Sequence, residues 1–374
     1  MRRFVLSTVG TSLLTNQIDR SNEAEKNWYA LLRDSANVQR DNLNPEILQI
    51  IETLSDRATA ILQSSTVPGI RRASAELNGI YGIYDGNLSD ARMDSHWLIS
   101  TDTAQGIQTS EVVKSFLESQ GILAQIYTPD KLSTADTEEF GNGIDSILEW
   151  LENTIPGHKE AQDRICFNLV GGFKSLQAYL NTIGMFYADE IVYIFESPQS
   201  ELIKIPRLPL QFDTSGIDPM QFALMSAGAW IKLSEINDSR EALLYQVEDE
   251  VTLSNWGRLI WNQSKSELLS QDLLSFPRLI YQDSFRSDYQ TIRNSKEKVK
   301  LQETLAKVSY LLSKHQGNTG PLKQDGGVLY EVYTNKGGIA HFRVTQGIRI
   351  SCTSSDGQLT LRRYGTEPDV NNNP

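Results

Sequence analysis

Only two cysteines occur in the 374 residues, Cys166 and Cys352, far apart and in no metal-ligand spacing. Their scarcity excludes a disulfide framework and a thiolate zinc site, and predicts a reducing, cytoplasmic setting. Long apolar runs are missing as well. The longest stretch free of charge, Phe4 to Ile18, is interrupted by Ser7, Thr8, Gly10, Thr11, Ser12, Thr15, Asn16 and Gln17, which excludes a membrane span. Met1-Arg2-Arg3 ahead of this run imitates a signal peptide. Hydroxyls and glycine break the apolar part and no small-residue cleavage site follows, so the segment reads as a first β-strand. Positive charge is short overall, with 35 Lys+Arg against 47 Asp+Glu, a net −12. The deficit is uneven: residues 1–215 carry 17 against 29, residues 216–270 carry 4 against 8, and residues 271–374 carry 14 against 10. The carboxyl-terminal part is therefore the basic one. With 39% hydrophobic and 22% charged residues, the chain has globular composition and length enough for two domains.

What is present is an alternation of β-rich runs and helical periods. Strands are expected at Phe4–Val9, His96–Ile99, Ile122–Tyr127, Arg164–Val170 and Glu190–Phe195, and helices at Asn44–Leu62, Ser110–Ser119, Glu138–Thr154 and Lys174–Tyr187. This is the α/β pattern of a doubly wound parallel sheet, and Pro198, Pro206 and Pro209 mark its exit, giving a first domain over 1–215. Residues 216–270, with Phe222, Leu224, Met225, Trp230, Leu243, Val247, Trp256 and Ile260 at helical spacing, read as a helical connector. Residues 271–366 change order: a short strand Arg278–Tyr281, a long helical stretch Asp283–Lys314, then β-rich runs at Val328–Thr334, Ile339–Thr345, Ile348–Cys352 and Gln358–Arg363. These make a small α+β domain, followed by a tail, 367–374, expected to be disordered.

In an α/β sheet, ligands bind where strands end and helices begin. Two turns qualify. Thr8-Val9-Gly10-Thr11-Ser12 lets backbone approach a ligand and offers hydroxyls. Asn168-Leu-Val-Gly171-Gly172-Phe173-Lys174-Ser175 has paired glycines, amides at a helix start and one cation. Together they form an anion cradle. Phe173 occupies the position where a Walker A loop requires glycine, and Gly141-Asn-Gly143 has Ser146 where a dinucleotide fingerprint wants its third glycine, which argues against nucleoside triphosphate and NAD.

These residues carry a resemblance. The Val9-Gly10-Thr11-Ser12-Leu13-Leu14 strand end and the Asn168–Ser175 turn resemble the CARF domains of type III CRISPR ancillary proteins. So do Arg71-Arg72 followed by Ser74-Ala75-Glu76, the run Leu98 to Gly106, and Ser197 to Phe212 with Ile205-Pro-Arg-Leu-Pro209, in the same order over residues 1–215. The resemblance implies a Rossmann-like fold, a homodimer, and a cyclic oligoadenylate ligand, most often cyclic tetra-adenylate, whose repeated phosphates suit a two-fold site. Some members cut the ring: the ribose 2′-hydroxyl displaces at the adjacent phosphorus, leaving a 2′,3′-cyclic phosphate and a 5′-hydroxyl without metal. Ring nucleases use a lysine and a hydroxyl at positions matching Lys174 and Ser12, which makes these the expected catalytic pair. Thr8, Gly10, Thr11, Asn168, Gly171, Gly172, Phe173 and Ser175 are the expected ligand-binding residues beside them. A sensor that holds the ring uncut and regulates a partner is the alternative reading.

The remaining residues bear on the effector. A HEPN ribonuclease, carried by many relatives, needs an arginine a fixed short distance before a histidine. Arg92 stands too close to His96, and His158, His315 and His341 have no such arginine. The acidity of residues 216–270 argues against a winged helix on DNA. Residues 271–366 resemble the RelE toxin fold through Leu279-Ile-Tyr281 with Phe285 and Tyr289, Gly320-Pro-Leu-Lys323, Gly327–Glu331, Gly337–Arg343 and Leu361-Arg-Arg-Tyr364. RelE-like toxins cleave messenger RNA in the ribosome. Carried over, Lys323 and Arg343 would neutralise phosphate, and Arg362, Arg363 and Tyr364 would surround the attacked hydroxyl or leaving oxygen. His341 and the single lysine before the sheet depart from that pattern, and a domain that keeps the fold without cutting stays open. No metal, organic cofactor, DNA or membrane partner is expected.

Overall fold

The structure, a computed structural model, describes residues 1–130, 132–133, 136–194, 201–236, 240–334 and 336–374. The chain divides into two compact units, residues 1–210 and 211–374. Among the described residues no helix is long and apolar enough to cross a membrane.

The strands of the first unit are β1 (Arg3–Thr8), β2 (Ser95–Ile99), β3 (Leu123–Tyr127), β4 (Arg164–Asn168), β5 (Glu190–Ile194) and β6 (Leu202–Pro206). They lie in the order β3-β2-β1-β4-β5-β6, all parallel except the antiparallel edge strand β6. The helices are α1 (Ser12–Thr15), α2 (Trp28–Asp34), α3 (Pro45–Ser64), α4 (Val67–Ala73), α5 (Ala75–Ile83), α6 (Ala104–Ser119), α7 (Thr137–Glu160) and α8 (Lys174–Tyr187). Central β1 is buried on both sides, as a parallel strand covered by two helical layers must be. Val5 packs with Leu77 and Ile80 of α5 and Val113 and Leu117 of α6. Phe4, Trp97 and Tyr127 turn to the other layer and meet Trp150 of α7 at ring-centroid distances of 6.2, 5.0 and 4.7 Å.

The expected doubly wound α/β sheet is present, with three local corrections. β6 lies in the proline-bearing segment read as the exit, because Pro206 ends an edge strand where a missing N–H costs no ladder bond. Helix α7 continues through Pro156 to Glu160 rather than stopping at Thr154: His158 in its last turn packs 4.6 Å from Phe4 and bonds Asp163 at 2.7 Å. Tertiary packing here outweighs the lost backbone bond. Helices α1, α2, α4 and α5 fall in stretches given no helix. Phe195, Ser197 and Pro198 lie outside the described residues.

The second unit holds α9 (Pro219–Ser226), β7 (Ile231–Lys232), β8 (Leu244–Val247), β9 (Glu250–Leu253) and α10 (Asn255–Leu268). It continues with β10 (Leu279–Tyr281), α11 (Asp283–Thr291), α12 (Ser295–Lys314), α13 (Gly320–Gln324), β11 (Glu331–Val332), β12 (Ala340–Arg343), β13 (Ile348–Ser355), β14 (Gln358–Thr366) and α14 (Glu367–Asn372). Its main sheet runs β10-β14-β13-β12-β11, with β10 parallel to β14 and the rest antiparallel. Phe342, Ile350, Leu359 and Leu361 of one sheet face share a core with Phe285 of α11 and Leu301, Leu305 and Leu312 of α12.

The helical-connector reading of 216–270 does not survive. Between α9 and α10 lies a three-stranded antiparallel sheet, β7-β9-β8. Val251 and Leu253 alternate inward, and Glu248 takes the left-handed turn. Phe222, Leu243 and Trp261 enter the same core as the main sheet, so the segment is part of the unit and not a linker. The stretch 283–314 is two helices, the second restarted by Asn294, whose side chain accepts the Lys296 N–H at 2.9 Å. The run 328–334 pairs only at Glu331–Val332. Residues 367–372, expected to be disordered, form α14, anchored by Val370 at 2% exposure.

Candidate functional site

Strands β1 and β4 are neighbours in register, Ser7 opposite Asn168, and β2 and β5 lie outside them on opposite sides. The chain thus leaves their carboxyl ends in opposite directions, which opens a crevice at the switch point of the sheet. A cavity of about 540 Å³ lies there, lined by both turns.

Close backbone approach explains the glycines. A Cβ on Gly10 would stand 2.8 Å from the Gly172 nitrogen, and Gly172 itself takes φ +94°. The Thr8 hydroxyl donates to the Gly171 carbonyl, and the Gln177 amide donates to the same oxygen at 2.8 Å. Beneath both turns lies Glu76, wholly buried on α5. Its Oε1 accepts the Gly10 N–H at 2.6 Å and its Oε2 accepts the Ser74 hydroxyl at 2.7 Å. The Asn168 amide donates to Ser7 Oγ and to the Glu76 backbone oxygen, each at 3.0 Å. The carboxyl of Glu76 thus holds the β1 loop, its backbone oxygen ties the end of β4, and the carboxyl packs against Gly171 of the second loop.

Burial pushes the Glu76 carboxyl above its ordinary value of 4.5, against the pull of the Gly10 N–H and the Ser74 hydroxyl. A carboxyl raised in the folded state contributes stability fully present below its unfolded value and lost as pH rises through the folded one. The neutral isostere Glu76→Gln removes that dependence. Thermal melts from acid to neutral pH should show a shallower decline for the variant than for the wild type; equal slopes would contradict the assignment.

Of the residues expected at the site, Gly10, Thr11, Ser12, Gly171, Gly172, Phe173 and Lys174 line the cavity. Thr8 and Asn168 do not: both are fully buried, the Thr8 hydroxyl and the Asn168 amide N–H groups make internal bonds, and Asn168 Oδ1 has no partner among the described residues, so they shape the loops rather than line the cavity. Ser175 is exposed on α8 outside the lining. Lys174 is exposed, opens α8, and makes no ion pair among the described residues. Ser12 Oγ is shielded from solvent and has no hydrogen-bond partner among them. Sequence reasoning missed Tyr29, Arg33, Gln177 and Tyr193, which also line the cavity. Tyr29 and Arg33 share one face of α2, four residues apart. Tyr193 is the one exposed side chain of the otherwise buried β5, a signal that an alternation count along Glu190–Ile194 could have found.

Of the candidate residues of the second unit, the three arginines lie on β12 and β14, while Lys323 lies on α13 and Tyr364 turns to the core. Lys323 is exposed on α13 and Arg343 ends β12. Arg362 is the extra residue of a β-bulge opposite Ser351/Cys352. Arg363 is bidentate to Asp288 at 2.8 and 3.2 Å. Tyr364 is buried and donates to Glu297 at 2.7 Å, and burial first, then that carboxylate, pushes its phenol pKa up. Tyr364 is thus a packing residue here, contrary to the role expected for it, because its side of β14 faces the core.

Residues 71–208 match a protein-family model described as CRISPR-associated protein (Cas_APE2256). The matched stretch runs from the end of α4 to just past β6 and contains Glu76, the whole β4–α8 turn and Tyr193.

Proposed function

We propose, from the premise that this is a CRISPR-associated protein, that the switch-point cavity binds a cyclic oligoadenylate, cyclic tetra-adenylate in the first instance, across a homodimer, and cleaves it. The observation that carries the proposal is a lysine without an ion pair and a serine hydroxyl without a partner, both among the described residues, at two glycine-walled turns of one cavity. Loop amides and the start of α8 suit phosphate oxygens, and Tyr29, Phe173 and Tyr193 offer faces on which adenines can stack. In the reaction, the ribose 2′-oxygen bonds to the adjacent phosphorus and loses its proton to solvent. The P–O5′ bond breaks and the 5′-oxygen takes up a proton. Lys174 neutralises charge growing on the phosphorane, and Ser12 restrains the ribose or phosphate. Labelled cyclic tetra-adenylate incubated with the protein in chelator should yield linear products ending in 2′,3′-cyclic phosphate. Intact ring at large protein excess would remove the cleavage step.

A receptor that does not cut is the second reading, favoured by one observation: Ser12 lines the cavity, but its Oγ is shielded from solvent. For residues 271–366 we propose a RelE-like ribonuclease. Its support is the short strand β10 set parallel to β14 beside antiparallel strands, with α11 and α12 following β10. Translating ribosomes, with and without the ring, are the substrate to use; intact messenger in both conditions would remove the activity.

A further inference from the structure

Residues directly paired across antiparallel strands point to one face of a sheet. In the second unit this puts Glu331, His341, Ser351 and Arg363 in one row across β11, β12, β13 and β14, and Arg343, Arg349 and Gly365 in the next. The opposite face, with Phe342 and Ile350, belongs to the core. The first face is polar, and four of its polar atoms are not satisfied, although Arg363 holds Asp288 and Arg349 holds Glu367 and the Thr345 carbonyl. Ser351 Oγ, His341 Nδ1, Arg343 Nε and Arg362 Nε are buried without a partner among the described residues, and Ser351 is fully buried. Buried polar atoms are seldom left so. Arg343 also lies directly opposite Arg349, a like-charge pair in which Arg349 is compensated by Glu367 and by the Thr345 and Gln346 carbonyls, leaving Arg343 as the cation whose Nε has no partner among the described residues.

The eight residues from Glu367 onward cover this face. Glu367 pairs with Arg349 at 3.2 Å. The Asn371 side chain accepts the Tyr333 hydroxyl at 2.6 Å, and its backbone oxygen accepts Lys336 Nζ. The backbone oxygen of Pro374 accepts Arg362 Nη2 at 3.2 Å. Val370 is the apolar anchor, packed over the bare Cα of Gly365. Each polar contact sets an oxygen of the strap against a cation or a phenol of the sheet or of the segment between β11 and β12.

We propose that this face is a binding site for single-stranded RNA, and that α14 is a strap lying where the RNA backbone would lie, its oxygens in place of phosphate oxygens. The identity of the ligand rests on the ribonuclease reading of this unit; the strap rests on the contacts above. Cations beside the Tyr333 and His341 rings, 4.5 Å apart and tilted by 39°, are what a sequence-tolerant RNA groove presents.

The test is fluorescence anisotropy of a short labelled single-stranded RNA with the full chain and with Val370→Asp, which unseats the strap. Val370→Asp should bind at least about tenfold more tightly, steeply dependent on salt, and adding Arg343→Ala should abolish the gain. Amide exchange over 367–372 reports whether the strap has left, and a chain ended after Thr366 serves if the aspartate variant fails to fold. Released strap with unchanged affinity overturns the proposal. Tighter binding upholds it even where translating ribosomes show no cut messenger, an outcome that would remove only the ribonuclease reading.

Discussion

Replacing Lys174 with alanine should lower ring cleavage by about a hundred- to a thousandfold, the loss seen when one preorganised charge-stabilising donor is removed from an acyl- or phosphoryl-transfer site. The side chain is exposed at the first residue of α8 and makes no ion pair among the described residues. Its removal should therefore leave folding stability within about 0.5 kcal/mol of wild type. Affinity for the ring should fall more modestly, by the roughly 1.5–3 kcal/mol of one hydrogen bond to a charged phosphate. Lys174→Arg keeps the charge but spreads it over a planar fork, and should recover binding more fully than cleavage. Product formation under single-turnover conditions separates the two effects. Undiminished cleavage by Lys174→Ala would show that another group carries the step.

Gly171→Ala should have the largest effect on the scaffold of the site. The added Cβ would stand 2.2 Å from Glu76 Oε1 and 2.6 Å from its Cδ. That carboxyl cannot retreat, because it is wholly buried and holds the Gly10 N–H and the Ser74 hydroxyl. Either Glu76 leaves those donors or the β4 loop moves away from the β1 loop. The expected cost is about 1–3 kcal/mol in urea denaturation, together with loss of ring binding. Gly157→Ala is the matched control. It lies in α7 with nothing within 4 Å of an added Cβ, so it should stabilise by roughly 0.5–1 kcal/mol through helix propensity. Equal behaviour of the two variants would mean that Glu76 does not pin the loops.

Much of the first unit was legible in the sequence because a buried parallel strand has a strong signature: Phe4-Val-Leu and Arg164–Asn168 are short apolar runs bounded by glycine-bearing turns. The two turns were legible for the same reason, since glycines at strand ends mark close backbone approach. What could not be read was the group that joins them. Glu76 looks like an ordinary first-turn acid of a capped helix, and only the fold reveals that α5 passes beneath both loops. Thr8 and Asn168 have side-chain chemistry suited to a ligand but serve the loops instead, because β1 and β4 are central strands with no solvent-facing side.

In the second unit, helical spacing misled at 216–270, where Leu243 and Val247, four residues apart as on one helical face, belong instead to a short strand and the turn before it. The tail was misjudged for a different reason. Glu367-Pro-Asp369 is a plain helix start, with the Thr366 hydroxyl capping the Asp369 N–H, but the sequence alone did not show the bare sheet position at Gly365 that Val370 covers. Tyr364 and Arg363 are adjacent in sequence and on opposite faces of β14, so one motif could not supply both to one site.

Isothermal titration of the protein with cyclic oligoadenylates of several ring sizes tests the central claim most directly. Saturable binding of one ring per two chains, weakened by Lys174→Ala and by Gly171→Ala, is the predicted result. Absence of binding for every ring size would contradict the account.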